Sequence, residues 1–543
     1  MIIRSFVVFF LSVTASFAAQ ITLTTDPDTA GCNLDAAVFS VLEGANREGC
    51  IAIGAYGTDD TILVPASIPQ SYTAPADSFG NPGNAVPAID KTLVVKGIGG
   101  RAIISRSVGS TDNFRFFEID KTGGTPLVRF ENLRFEGGFS GGQGGAIYSD
   151  DADIEIVNCE FVQNQTSNAS NGGAVYVRLG SLSITGSKFE QNAVNFDVGS
   201  LTPAGGALSV FATDVNIEET LFIGNSGNND DSLFNVGLAG AIQAEGTIGT
   251  PSSVTIARSV FQDNLASGVG SGIGAAIMLS GNTALNVFDS TFVGNSAGTS
   301  AAGNGGAIAV FTSTGNDILL VNTTISGNTG RRGGGIDIKS SSVSDNDENT
   351  PNNSLLIINS IISGNEGSVA SEFSFTDWQA ADSLVVVNSL IGDDSENRAD
   401  SIRIHNSDTS GVNNALESGS TQLLMSDEDN IALDAFLQPL EASGTVKAHL
   451  PVIPMGLAHD SGIELFTVFV GGGSKTVYPG CRGTGLETIA TGDPDPAYRN
   501  DQLGTSRPKG AQCDIGSIEL DPDADQFCWT LVTSNNKVIA PCL

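Results

Sequence analysis

Between residues 128 and 391 one short pattern of apolar and small side chains recurs. Its last apolar residue serves as an anchor at Phe135, Phe161, Phe189, Phe222, Phe261, Phe292, Ile325, Ile362 and Ile391. Seven residues before each anchor stand Val128, Ile154, Leu182, Val215, Val254, Leu285, Ile318, Leu355 and Leu384. Five before stand Phe130, Ile156, Ile184, Ile217, Ile256, Val287, Leu320, Ile357 and Val386. Apolar residues at spacing two predict a strand with one face turned inward. Two before the anchor, after Leu133, comes a ladder of small residues: Cys159, Ser187, Thr220, Ser259, Ser290, Thr323, Ser360 and Ser389. Cys159 takes the place of a serine there, so it is expected to be reduced, stacked and unreactive. Three after the anchor come Asn164, Asn192, Asn225, Asn264, Asn295, Asn328 and Asn365. These are expected to take the left-handed backbone of a turn and to hydrogen-bond to their like in the next repeat.

A second phrase precedes the six anchors from Phe161 to Ile325: Gly144-Gly145-Ala146-Ile147, Gly172-Gly173-Ala174-Val175, Gly205-Gly206-Ala207-Leu208, Ala239-Gly240-Ala241-Ile242, Gly274-Ala275-Ala276-Ile277 and Gly305-Gly306-Ala307-Ile308. Glycine there predicts a corner where a side chain would strike the neighbouring repeat. Anchors lie 26 to 39 residues apart, while the step from that alanine to the anchor is 15 in three repeats and 16 to 20 in three more. A nearly fixed arc with insertions at chosen corners describes a solenoid. No helical pattern separates the strands. The fold class is therefore all-β, a single-stranded right-handed parallel β-helix of the pectin-lyase-like type. Nine coils at about 4.8 Å each would make a rod of about 40 Å.

These paired signatures resemble the polymorphic outer membrane protein repeat, over residues 130–365. The run Cys32-Asn33-Leu34-Asp35-Ala36-Ala37, with Cys50 and Asp60–Pro65, resembles the amino-terminal cap of bacterial proteins that begin Cys-Ser-Leu-Arg-Glu-Ala. Asn33 replaces the serine, and Asp35-Ala36 replaces Arg-Glu. Leu437–Leu440, His449–Pro451, Asp501–Gly504, Arg507–Gly510 and Cys513–Gly516 resemble the choice-of-anchor domain that ends many such β-helices. The resemblance implies surface display or secretion and carries over no catalytic residue.

The expected domains are a signal peptide over 1–18, a cap over 19–60, the β-helix over 61–398, a β-rich module over 399–520 and a tail over 521–543. Arg4, the apolar run Phe6–Leu11 and Ser16-Phe17-Ala18 read as an export signal cleaved after Ala18. The protein is thus expected outside the cell or on its outer surface, with no transmembrane helix. Export makes disulfides available, and proximity suggests Cys32–Cys50, Cys481–Cys513 and Cys528–Cys542. The net charge of −35 argues against nucleic acid or anionic lipid as partner. It suits solubility in salt, with calcium as the one cofactor it leaves room for.

No residue is assigned a catalytic, cofactor-binding or metal-binding role. The outward carboxylates Glu155, Glu160 and Glu218 give way to Ala257, Phe288 and Val321, so no acidic ladder forms. Gly392-Asp393-Asp394 with Arg403-Ile404-His405 follows a polygalacturonase order but lacks the Gly-His-Gly between them; a turn and a solvated strand account for it. His405, His449 and His459 lack metal-ligand spacing. Asp521–Asp525 alternates like a calcium loop without its glycine and distal glutamate, and reads as linker. Tyr148 and Tyr176 occupy equivalent outward slots and could stack a sugar or simply cover a coil edge.

One surface departs from the pattern. Leu319, Val321, Leu356, Ile358, Ile361, Val385, Val387 and Leu390 point outward yet are apolar. Such a face is rarely left wet, so residues 399–520 are expected to fold over it, or else a partner protein. The functional expectation is an exported adhesive, binding or structural protein with carbohydrate or protein as partner, using loops such as 193–203 and 226–237. A polysaccharide lyase or glycoside hydrolase acting on acidic glycans is the alternative.

Overall fold

The computed structural model describes residues 18–75, 83–121, 124–167, 170–195, 204–229, 236–268, 271–298, 303–313, 315–340, 353–368, 372–376, 383–387, 389–392 and 402–405. It also describes three antiparallel hairpins, Glu441–Ser443 with Lys447–His449, Phe466–Val470 with Gly473–Val477, and Leu531–Val532 with Val538–Ile539. The signal peptide, the cysteines beyond Cys159, Asp393-Asp394, His459, Asp521–Asp525 and most of 399–520 lie outside the described residues.

The repeats stack as a parallel β-helix. Each coil contributes strands to a long sheet of 21 and a second sheet of 11, and five early coils add a short third sheet. Like residues meet in register: Phe161 faces Phe135 and Phe189, and Ile156 faces Phe130 and Ile184. Anchor side chains from Phe135 to Ile362 are fully buried. The rings from Phe135 to Phe292 stack at centroid distances of 4.8, 4.6, 4.9, 4.8 and 4.6 Å. One contiguous core runs from Ile21 to Leu384.

Two coils precede the first anchor. Gln70–Tyr72 and Ala102–Arg106 continue the second sheet below Phe135, and Asp60–Pro65 and Leu93–Ile98 continue the long one. At the other end, Gly333-Gly334-Gly335-Ile336 extends the glycine phrase by one more coil, with Ile336 paired to Ile308.

The corners explain the residues between strands. In the repeated phrase, Gly144, Gly172, Gly205, Gly274 and Gly305 have φ between 63° and 77°. A Cβ on the next residue would lie 2.1 Å from the following coil's carbonyl at Gly145, Gly173 and Gly306. The glycine requirement is therefore steric as well as conformational.

The turn after the anchor corrects one expectation. The left-handed residue is the one before each asparagine, as in Gln163 and Gln191 at φ 53° and Gly224 at φ 60°. The asparagine itself is buried and forms a ladder. Asn192 Oδ1 accepts from the backbone N–H and the Nδ2 of Asn164, each at 3.0 Å, and Asn192 Nδ2 donates to the Phe161 carbonyl at 2.9 Å. The same bonds repeat to Asn365, whose N–H and Nδ2 end on the buried carboxylate of Glu372. The small-residue ladder works similarly. Ser187 Oγ accepts the Cys159 N–H at 3.0 Å and donates to the Thr185 carbonyl at 3.0 Å. Cys159 is free and buried, and burial pushes its thiol up to about 12.

The amino end carries a helix, Leu34–Glu43, that strand periodicity alone did not reveal. Asn33 caps it by accepting the Ala36 N–H at 2.9 Å, and Gly44 ends it in the left-handed region at φ 67°. Cys32 and Cys50 are joined as expected. Gln70 ties this cap to the first coil by accepting from Leu34 N–H and donating to the Thr25 carbonyl, both at 3.0 Å.

Candidate binding groove

The outward face of the early coils is charged, and its charges are paired. Lys96 holds Glu131 at 2.7 Å, Arg129 holds Glu155 at 3.0 Å, and Arg134 holds Glu160 at 2.9 Å. Arg101 also meets Glu160, and Arg258 meets Glu218. The part-exposed pairs among these add little stability, while Arg258 is buried. Their consequence here is that Glu155, Glu160 and Glu218 each have a cationic partner. Among the described residues, no group of three or more His, Cys, Asp or Glu gathers as a metal site.

Tyr148 and Tyr176 stack on each other, with centroids 5.8 Å apart and planes 6° from parallel. The Arg115 guanidinium lies 5.0 Å above the Tyr148 ring. Both faces of Tyr148 and one face of Tyr176 are thereby used within the column. This arrangement favours covering a coil edge over stacking a sugar. Arg403 and His405 lie on the strand Ile402–His405 at the far end of the long sheet, in register with Ser374 and Thr376.

The expected contact loops are partly strand. Ala193–Val194 and Ser226–Asn229 belong to the short third sheet, and Val236–Leu238 pairs with Ser271–Ile273. Residues 196–203 and 230–235 lie outside the described residues.

A groove of about 830 Å³ opens at the elbow between the second and third sheets, along the first coils. One wall is the in-register column Ser71, Ser105 and Glu136. The floor is the left-handed corner at Gly137, Gln163 and Gln191, and the far wall holds Phe139 and Gln165. Gln163 Nε2 donates to Gln191 Oε1 at 3.1 Å, linking neighbouring coils along the floor. Arg106 also lines the groove. Its Nε and Nη2 donate to the Asp112 and Ser110 carbonyls at 2.9 and 2.8 Å, and its guanidinium lies 5.7 Å from the Phe139 ring centre. Glu136 is held by Arg134 at 2.9 Å. The lining thus offers hydroxyls, amides and one aromatic face, with its carboxylate and guanidinium already engaged.

Periodicity gave no sign of this groove. The signal that could have found it is the position two after the anchor, which reads Gly137, Gln163, Gln191, Gly224, Asp263, Gly294, Gly327 and Gly364. Every member of that column has φ between 53° and 71°. Glutamine there bears a left-handed backbone at a cost of about 1–2 kcal/mol that glycine avoids. None of the family models, curated proteins or solved structures compared with the chain matches it.

Proposed function

We propose that the protein is an exported, surface-associated or secreted binding rod whose groove holds a neutral polysaccharide strand. The observation that carries this reading is the pair of glutamines at left-handed corners, Gln163 and Gln191, lying along the groove floor. Left-handed non-glycine corners recur along the rod, as at Asp263 and Asn322, but here two successive ones present amides to a groove. Amide and hydroxyl groups repeated coil by coil suit the repeated hydroxyls of a glycan, and Phe139 supplies an apolar face. With net charge −35 a neutral chain is favoured over an acidic one.

The test is co-sedimentation of the purified protein with insoluble neutral glycans, beside soluble acidic ones, together with assays for new reducing ends and for unsaturated products. Binding without turnover is expected. Gln163→Gly with Gln191→Gly should weaken it about tenfold or more while raising stability by about 1 kcal/mol each. Product formation, or binding indifferent to both substitutions, would overturn the reading.

A further inference from the structure

The outward columns change character along the rod. In early coils they carry Arg129, Arg134, Glu155, Glu160 and Lys188, all part-exposed. In late coils the same columns carry Leu319, Val321, Leu356, Ile358 and Ile361, which are 5%, 1%, 4%, 0% and 0% exposed. The corner residues between the two sheets follow suit: Asn132 and Asn158 are part of the early surface, whereas Asn322 and Asn359 are 1% and 0% exposed. Neighbours within a column cannot do this, because they point outward in parallel. An outward side chain is hidden only where further chain forms a layer over it; on the glycine-phrase arc the coils' own corners do so, Ala204, Leu238, Ala239 and Ile273 clustering with Met278 and Ala309.

We propose that the chain beyond the last coil, residues 406–543, is that layer and docks along this seam of the same molecule. Three observations choose this occupant. The hairpin strand Lys447–His449 lies against Val260–Gln262, at the near end of the seam, where Val260 is 1% exposed. The last coil strand, Ile402–His405, stacks on Phe373–Thr376 at the carboxyl end of the rod, on the arc beside the seam, so the following chain starts at that end. At least 138 residues follow it, ample for a layer over four or five coils. The rod is then two-layered in its carboxyl half and bare in its amino half, and the open groove lies on the bare half.

The test uses the full chain with a photo-crosslinking residue, Leu356→p-benzoylphenylalanine, and a control at Ser183, which holds the same column in an early coil. Crosslinks from position 356 to residues 406–543 of the same chain, absent from position 183, are expected. Crosslinks between chains, or none from 356, would overturn the proposal. As a second variant, Leu356→Asp should speed tryptic cleavage after Lys447 and Lys475 about tenfold or more, since cleavage follows the population of the opened form. Unchanged cleavage with the circular dichroism of the coils retained would also overturn it.

Discussion

Asn225 shows how one polar side chain can hold a coil. Its Oδ1 accepts from the N–H and Nδ2 of Asn192 at 3.0 and 2.9 Å, and its Nδ2 donates to the Phe189 carbonyl at 3.0 Å. Asn225→Ala leaves buried donors and an acceptor stranded at about 1–3 kcal/mol each. A loss of about 3 kcal/mol or more is expected in urea unfolding. Asp337 works against the fold instead. It is 2% exposed, its Oδ1 lacks a hydrogen-bond partner, and burial raises its carboxyl to about 7, with Ser374, Arg332 and Lys339 only easing the shift. Between its ordinary value of 3.8 and about 7 the folded chain keeps a proton that the unfolded chain releases. Its contribution to stability therefore falls as pH rises through that window. Asp337→Asn should raise the melting temperature at pH 8 and lose that advantage toward pH 4. An equal gain at both would refute the burial of a titrating acid.

At the scale of the strand and its corner, glycines divide into two kinds. At Gly206 a Cβ would meet the Gly240 carbonyl oxygen at 2.2 Å and Ser226 backbone atoms at 2.5 Å. Gly186 also sits in the left-handed region, at φ 59°, but a Cβ there meets nothing within 4 Å. Its column already holds Asn132, Asn158, Asn322 and Asn359 at φ 48° to 56°. Gly206→Ala should cost several kcal/mol or prevent folding, whereas Gly186→Asn should change the melting temperature little. This distinction also explains what the sequence made readable. Inward residues repeat because each stacks on its own kind, so Phe161 to Phe292 announce themselves. The first two coils do not, since Gly99-Gly100-Arg101 widen the corner: Val95 and Ile104 are nine apart where later pairs are five. The cap helix was hidden for a different reason, its signal being the termini Asn33 and Gly44 and not a period. The groove was illegible because Ser71 and Gln191, 120 residues apart, meet only once the coils stack.

Across the whole molecule, charge sets which glycan the proposed binding groove would admit. The chain carries 60 acidic against 25 basic residues. Most of its cations along the early coils are held in ion pairs, as at Arg129, Arg134 and Arg178, while Arg106 in the groove is held by two carbonyls. An acidic polysaccharide approaching the rod therefore meets net repulsion, felt over about 30 Å at 0.01 M salt and about 3 Å at 1 M. A neutral one meets hydroxyls, amides, Val108 and the Phe139 ring, beside Glu136 and Arg106 that are already engaged. Binding of a neutral glycan should then be nearly constant from low to high salt. Any binding of an acidic glycan should be weakest at low salt and strengthen as salt is added. Titrations against both polymers across that range check the sign. Tighter acidic binding at low salt would mean that an attractive cationic track governs recognition, and the polar groove would no longer explain it.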